Sequence, residues 1–245
     1  MIVFSLPILI MLLAAIVPAI FLLKKVYKYD RLEKEPTSLI VKLVFLGIIS
    51  TACALLTETI GSNILNNLFE ANSLAYNLIM YFIVVALSEE GFKYLILKRA
   101  TWKNPNFNCT FDAVVYAVSV SLGFALWENI QYVFSYGLTT ALVRAVTAVP
   151  GHASFGVLMG ACYGAAKRCE SRGELDRSKR FMRSGLILPV LAHGFYDFCA
   201  SMGGYIGSIA FLVVILVLFF ICSNLVKGLS EGDEYINNDP DFTYK

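Results

Sequence analysis

Charge is scarce in this chain. Of its 245 residues only 16% are Asp, Glu, Lys or Arg, against 58% hydrophobic, and the mean hydropathy is +0.67. A water-soluble domain carries about 25% charged and roughly 45–50% apolar residues, so an ordinary soluble enzyme and a disordered chain are both excluded. The net charge is only +2, which offers no broad cationic face and excludes a basic nucleic-acid binder. No CxxC pair occurs among the six cysteines, Cys53, Cys109, Cys162, Cys169, Cys199 and Cys222. A zinc knuckle or disulfide framework is thereby excluded, and the cysteines read as small apolar fillers with only Cys109 and Cys169 in loops. The HExxH signature is missing, as is any Gly-rich phosphate loop. No serine or cysteine has a base at a recognisable spacing, so a nucleophilic triad has little support.

What is abundant is apolar sequence in runs of about 20 residues, the length that crosses a bilayer. Seven spans are predicted near 2–23, 39–60, 74–97, 111–136, 138–166, 184–203 and 206–226. The expected fold is all-α, a polytopic membrane helix bundle occupying 1–228. A short acidic cytoplasmic tail at 229–245 (Glu231, Asp233, Glu234, Asp239, Asp241) is expected to fray. The first span lacks a basic leader and runs directly into Lys24 and Lys25, so it reads as a retained signal-anchor. Basic residues follow span one (Lys24, Lys25, Lys28, Arg31, Lys34), span three (Lys98, Arg99, Lys103) and span five (Lys167, Arg168, Arg172, Arg177, Lys179, Arg180, Arg183), and two more lie in the tail (Lys227, Lys245). The intervening loops near 61–73, 137 and 204 have none. Positive charge stays in the cytoplasm, which puts the N-terminus outside and the C-terminus inside.

Ionisable residues inside the spans are few: Glu58, Glu89, Glu90, Lys93, Glu128, Arg144, His152, His193 and Asp197. Each is costly in hydrocarbon, so such residues gather at sites. Both histidines of the chain fall mid-span, which favours a reactive centre over helix glue. In Glu89-Glu90-Gly91-Phe92-Lys93 the adjacent glutamates diverge by about 100° on a helix. They cannot do the same job, and Lys93 can reach either. One carboxylate is expected to be paired, and the other to face a water-filled cavity as general base. Taken alone, EExxK is also the pattern of a water-exposed helix end.

On span four, Ser121, Glu128, Gln131 and Tyr132 share a face, a polar stripe that must meet protein or water. Arg144 is a candidate counter-ion for Glu128. Pro150 precedes His152 and Pro189 precedes His193, and proline in a membrane helix is tolerated mainly beside cavities. Asp197, four residues after His193, is placed to accept Nδ1–H and leave Nε2 free.

Two chemistries remain open. A divalent metal held through histidine and carboxylate would bind water at an open position. Alternatively a glutamate activates water directly, with histidine at the developing oxyanion. Both lead to hydrolysis. Counted from the cytoplasmic ends of the predicted spans, Glu89 lies ~12 Å deep and Glu128 ~25 Å deep, an offset that would place them in different layers.

The ordered set of motifs resembles the PrsW family of bacterial intramembrane proteases. The residues that carry it are Glu89-Glu90-Gly-Phe-Lys93, Phe124-Ala-Leu-Trp-Glu128-Asn129-Ile-Gln-Tyr132, His152-Ala-Ser-Phe-Gly156 and His193-Gly-Phe-Tyr-Asp197. Each motif is loose by itself; their order along most of the chain is specific. The family is distantly related to the CAAX prenyl endopeptidases and bacteriocin-immunity-type membrane proteases. Those have a histidine where this chain has Glu128, and commonly an asparagine where it has Asp197.

The resemblance implies an intramembrane endopeptidase of the bacterial cell membrane, working in envelope-stress responses. Its implied partner is a single-pass membrane protein, an anti-sigma factor whose first cut leads to release of an extracytoplasmic-function sigma factor. It implies Glu89, Glu90, His193, His152 and Glu128 as catalytic, Asp197, Lys93 and Arg144 as orienting or tuning groups, and either one divalent metal such as zinc, held by Glu89, Glu90, His152 and His193, or a glutamate-dependent mechanism without it. Two rival classes use the same residues: a transporter or proton relay, and a scaffold whose polar groups only join helices.

Overall fold

The computed structural model describes residues 6–236, and the described residues are helical almost throughout. The helices are α1 (Leu6–Tyr29), α2 (Thr37–Leu68), α3 (Leu74–Ile79), α4 (Leu87–Thr101), α5 (Asp112–Tyr136), α6 (Leu138–Val146), α7 (Ala148–Ser171), α8 (Leu175–Ser201) and α9 (Gly204–Glu231). A π-helical segment, Met80–Ala86, joins α3 to α4 without a break. No named strand occurs among the described residues; one isolated bridge pairs Cys109 with Tyr235.

Five stretches are long and apolar enough to cross a membrane: Leu6–Tyr29, Thr37–Leu68, Asp112–Tyr136, Leu138–Ser171 and Gly204–Glu231. The expected third span falls on α3, the π segment and α4, outside these five, because Glu89, Glu90 and Lys93 lower its hydropathy. The expected sixth lies within α8, which starts earlier and carries charge in its first turns (Asp176, Arg177, Lys179, Arg180, Arg183). The expected fifth is bent at Thr147, between α6 and α7.

α5 is the axis of the bundle. Every residue from Asp112 to Ala125 is buried, and α1, α2, α4, α6 and α7 pack around it. Glycines set how closely they approach. A Cβ on Gly47 of α2 would fall 2.1 Å from the Val120 carbonyl oxygen, and one on Gly123 of α5 2.1 Å from that of Val44. Gly156, Gly160 and Gly164 of α7 likewise lie against Val118, Val114 and Thr110. This is the small-xxx-small packing that membrane helices use in place of a hydrophobic drive. By contrast α1 and α9 bury little, and Phe21, Ile206 and Phe220 are well exposed. Such apolar outer faces suit acyl chains.

Two details differ from the sequence expectation. Cys169 is not in a loop but is buried in the last turns of α7. The acidic tail does not fray at once. Residues 229–231 extend α9, and Asp233 then accepts hydrogen bonds from the Thr110 hydroxyl (2.9 Å) and the Phe111 amide (2.8 Å). Glu234 pairs with Arg168, so the basic end of α7 holds this part of the tail. Asp239, Asp241 and Lys245 lie outside the described residues, as do residues 1–5 of the expected first span.

Candidate active site

The polar residues singled out within the spans converge. Glu89 and Glu90 sit in the first turn of α4, immediately after the π segment, and Lys93 follows one turn later. A π-helical turn rotates the register of the helix beyond it, and such turns are frequent at functional sites. Here the segment packs against α8, where a Cβ on Gly194 would fall 2.5 Å from the Phe82 ring. The absence of that Cβ lets His193, its neighbour, approach the two glutamates.

Lys93 is fully buried, and its ammonium has three partners: Glu90 Oε1 at 2.7 Å, Glu89 Oε2 at 3.0 Å and His152 Nδ1 at 3.1 Å. An ammonium has three donors and no acceptor, so this lysine is satisfied. Donation to Nδ1 places the proton of a neutral His152 on Nε2, which meets Glu128 Oε2 at 2.8 Å. Glu128 also meets the Arg144 guanidinium at 2.8 Å. Arg144 lies over the Tyr132 ring, and its Nε donates to Asn129 Oδ1 at 2.9 Å. Asn129 in turn donates to the Ala15 carbonyl of α1.

His193 faces carboxylates on both sides, with Nδ1 3.0 Å from Glu90 Oε1 and Nε2 3.3 Å from Asp197 Oδ2. The arrangement of nitrogens expected from the sequence is therefore reversed. Asp197 meets Nε2 rather than Nδ1, and neither nitrogen is free because Glu90 claims the other side. Phe155 stacks on the His193 ring at 4.7 Å between centroids.

A cavity of about 520 Å³ opens beside this cluster. Its walls include Glu58, Glu89, Glu128, His152, His193 and Asp197, together with Tyr81, Tyr132 and Arg144. Glu90 lies behind Glu89, wholly buried. The depth offset between Glu89 and Glu128 is smaller than expected. α4 runs to Thr101 and α5 starts at Asp112, giving depths of ~18 Å and ~24 Å, a gap bridged by the His152 ring. Ser121, expected on the same stripe as Glu128, instead meets α7 at Gly156. Phe155, within the His152–Gly156 motif, is apolar and carries no sequence signal of its contact with His193, whereas Glu58, a lone glutamate in an apolar run, is itself a signal.

Glu89, Glu90 and His152 each offer a ligand atom within 4.8 Å of the other two, a spacing suited to one metal ion. The same three side chains are the partners of the Lys93 ammonium, so the centre of the triad is filled by the protein's own cation. A divalent ion and an ammonium cannot share that point. His193, with a carboxylate at each nitrogen, offers no free lone pair. As arranged, these residues do not fit a resident metal.

Residues 35–223 match the family model described as PrsW family intramembrane metalloprotease. The chain belongs to the PrsW family. Relatives named Protease PrsW include that of Shouchella clausii, 33% identical over 211 residues and covering 85% of this chain and 93% of the relative. That of Bacillus subtilis is 31% identical over 185 residues, covering 76% and 80%. That of Clostridioides difficile is 29% identical over 232 residues, covering 92% and 91%. No solved structure matches. PrsW membership makes the chain a protease and sets aside the transporter and scaffold readings. The matched segment of the PrsW family contains every residue of the cluster except Ala15.

Proposed function

We propose that this PrsW protein cleaves a membrane-tethered, single-pass protein by direct glutamate activation of water, with Lys93 in the place a metal would take. The observation that carries this is the division of the paired glutamates: Glu89 lines the cavity, whereas Glu90 is buried behind it between Lys93 and His193. Glu89 takes a proton from water as the water oxygen attacks the scissile carbonyl carbon. Arg144, which lines the cavity beside His193, supplies donors and positive charge toward the oxyanion that forms. Glu90 and Asp197 orient His193, and Glu128 holds both His152 and Arg144. The substrate favoured by the family resemblance is a transmembrane anti-sigma factor, and this would be its first cut.

The proposed setting is the bacterial cell membrane, with seven spans, the N-terminus outside and the C-terminus in the cytoplasm. In that orientation many cavity residues lie near the outer ends of their helices. Tyr132 precedes the end of α5, Thr147 the start of α7, Ala200 and Ser201 close α8, and Phe211 is near the start of α9. Substrate therefore reaches the site from the outer side.

The test is cleavage of a membrane-tethered substrate by purified protein in proteoliposomes. Glu89→Ala, Glu90→Ala and His193→Ala should each abolish cleavage while the protein still inserts, and a chelator should leave the wild type active. Normal cleavage by all three variants removes the site as assigned. Loss of wild-type activity on chelation, restored by zinc, removes the metal-free mechanism. Intact anti-sigma factor accumulating in a deletion strain would support the substrate, and its normal processing there would exclude it.

A further inference from the structure

Peptide hydrolysis needs two proton transfers, one from the attacking water and one to the departing amine, whose nitrogen is too basic to leave as an anion. The cluster described above accounts for the first. Each of its carboxylates is committed to a cation or a charged donor. Glu89 and Glu90 share Lys93, Glu128 has Arg144, and Asp197 has His193.

One carboxyl in the cavity wall is not committed. Glu58, half-buried on α2, lines the same cavity, and among the described residues no hydrogen bond or ion pair holds it. Its position is defined by the helix that carries it. Gly47 brings α2 against α5, and Gly61, one turn beyond Glu58, lies against Val84 of the π segment. Glu58 thus faces the cluster from a different wall than Glu89. The charged and titratable groups around the cavity are Glu89 on α4, Glu128 and Tyr132 on α5, Arg144 on α6, His152 on α7, His193, Asp197 and Tyr196 on α8, and Tyr81 in the π segment. Adding one more carboxylate charge to this set, with no cation to meet it, is unfavourable where water is scarce. A carboxylic acid that keeps its proton is the form such a site accommodates.

We propose that Glu58 is the proton donor to the leaving amine, a catalytic role that rests on the peptidase reading above. Glu89 accepts a proton as the water oxygen bonds to the carbonyl carbon and the C=O π pair moves onto the carbonyl oxygen. When that pair returns, the C–N bond breaks and its electrons remain on nitrogen. The Glu58 O–H supplies the proton to that nitrogen. The proton held by Glu89 then passes across the cavity to Glu58 through water. One water is consumed, and one carboxylic acid and one amine are released. The nitrogen lone pair forms on the face turned away from the entering oxygen, so a donor on a separate wall is well placed.

The experiment compares two leaving groups on the full chain in proteoliposomes. The peptide cut fastest from a quenched fluorogenic library is remade as the p-nitrophenyl ester of its acyl half, whose phenolate departs without a proton. Glu58→Gln should lower kcat for the peptide at least about 100-fold with KM within threefold, the usual scale of a lost general acid. The same variant should hydrolyse the ester within threefold of wild type, and Glu58→Asp should recover part of the peptide activity. Peptide kcat within threefold of wild type in Glu58→Gln overturns the proposal. So does an equal loss on ester and peptide, which would mark a structural role. So does a KM increase confined to substrates with Lys or Arg beside the cut, which would mark recognition of a cation. Full peptide activity in both Glu89→Gln and Glu90→Gln would instead overturn the underlying peptidase site, and is read separately.

Discussion

At the scale of single residues, Lys93 organises the site. A buried ammonium is tolerated because all three of its protons have acceptors, two of them carboxylates. Lys93→Met would leave Glu89 and Glu90 buried without their cation. The expected outcome is a loss of about 3–5 kcal/mol of stability and of at least about 100-fold in cleavage, read by thermal unfolding and by the tethered-substrate assay. Lys93→Arg should also fail, because a planar guanidinium cannot point donors in three directions from one atom. The sequence named Lys93 as a partner for the glutamates, since all three lie within one helical turn. It could not show the contact to His152, which is 59 residues away. Nor could it show which glutamate turns inward, since that depends on the rotation of α4 about its axis, which the π segment alters.

At the scale of elements, closeness of helices decides whether residues from different spans meet. His152 reaches Glu128 only because α7 lies against α5 along Gly156, Gly160 and Gly164. At Gly160 a Cβ would fall 2.6 Å from the Val114 Cα. Gly160→Leu should therefore push α7 away, costing about 1–3 kcal/mol or more and lowering cleavage through the displaced histidine. Gly228→Ala, in α9 with nothing within 4 Å of the added carbon, should leave both unchanged. Thermal unfolding and cleavage of the two variants side by side check this. The helices themselves were legible from apolar run length. The bend at Thr147 was marked by Pro150, whose ring excludes the Val146 carbonyl four residues earlier; the π segment was not legible, because neither a proline nor a glycine marks it.

At the scale of the whole molecule, the linker between α1 and α2 meets the start of α5 and the docked tail at one acidic junction. The Tyr116 hydroxyl donates to Glu35 at 2.7 Å, and the Glu35 amide donates to Asp30. Burial pushes Asp30 up to about 6, and pushes Glu35 up to about 7 against the lowering effect of the Tyr116 hydrogen bond. Both values exceed those of an unfolded carboxyl, so the folded state binds more protons. This contribution is full below about pH 4 and is lost as pH rises through about 6 to 7. Glu35→Gln should therefore gain stability relative to wild type between pH 5 and pH 8, as read by thermal unfolding at each pH. The proposed orientation has its own check. In a background with the native cysteines replaced, an impermeant maleimide on intact cells should label Glu70→Cys and not Ser171→Cys. The reverse pattern would invert the topology.

The sequence by itself determined that this is a helical membrane protein, where its polar residues fall along the spans, and its PrsW motifs. Those properties depend on composition over one helix length and on the cost of charge in hydrocarbon, both of which are local. The tertiary structure alone decided that Glu89 faces the cavity while Glu90 is buried, that Lys93 fills the Glu–Glu–His triad, and that Glu58 lines the same cavity from another wall. Each of these depends on helix rotation and on which segments, far apart in the chain, meet across the glycines, and no single span encodes its partner.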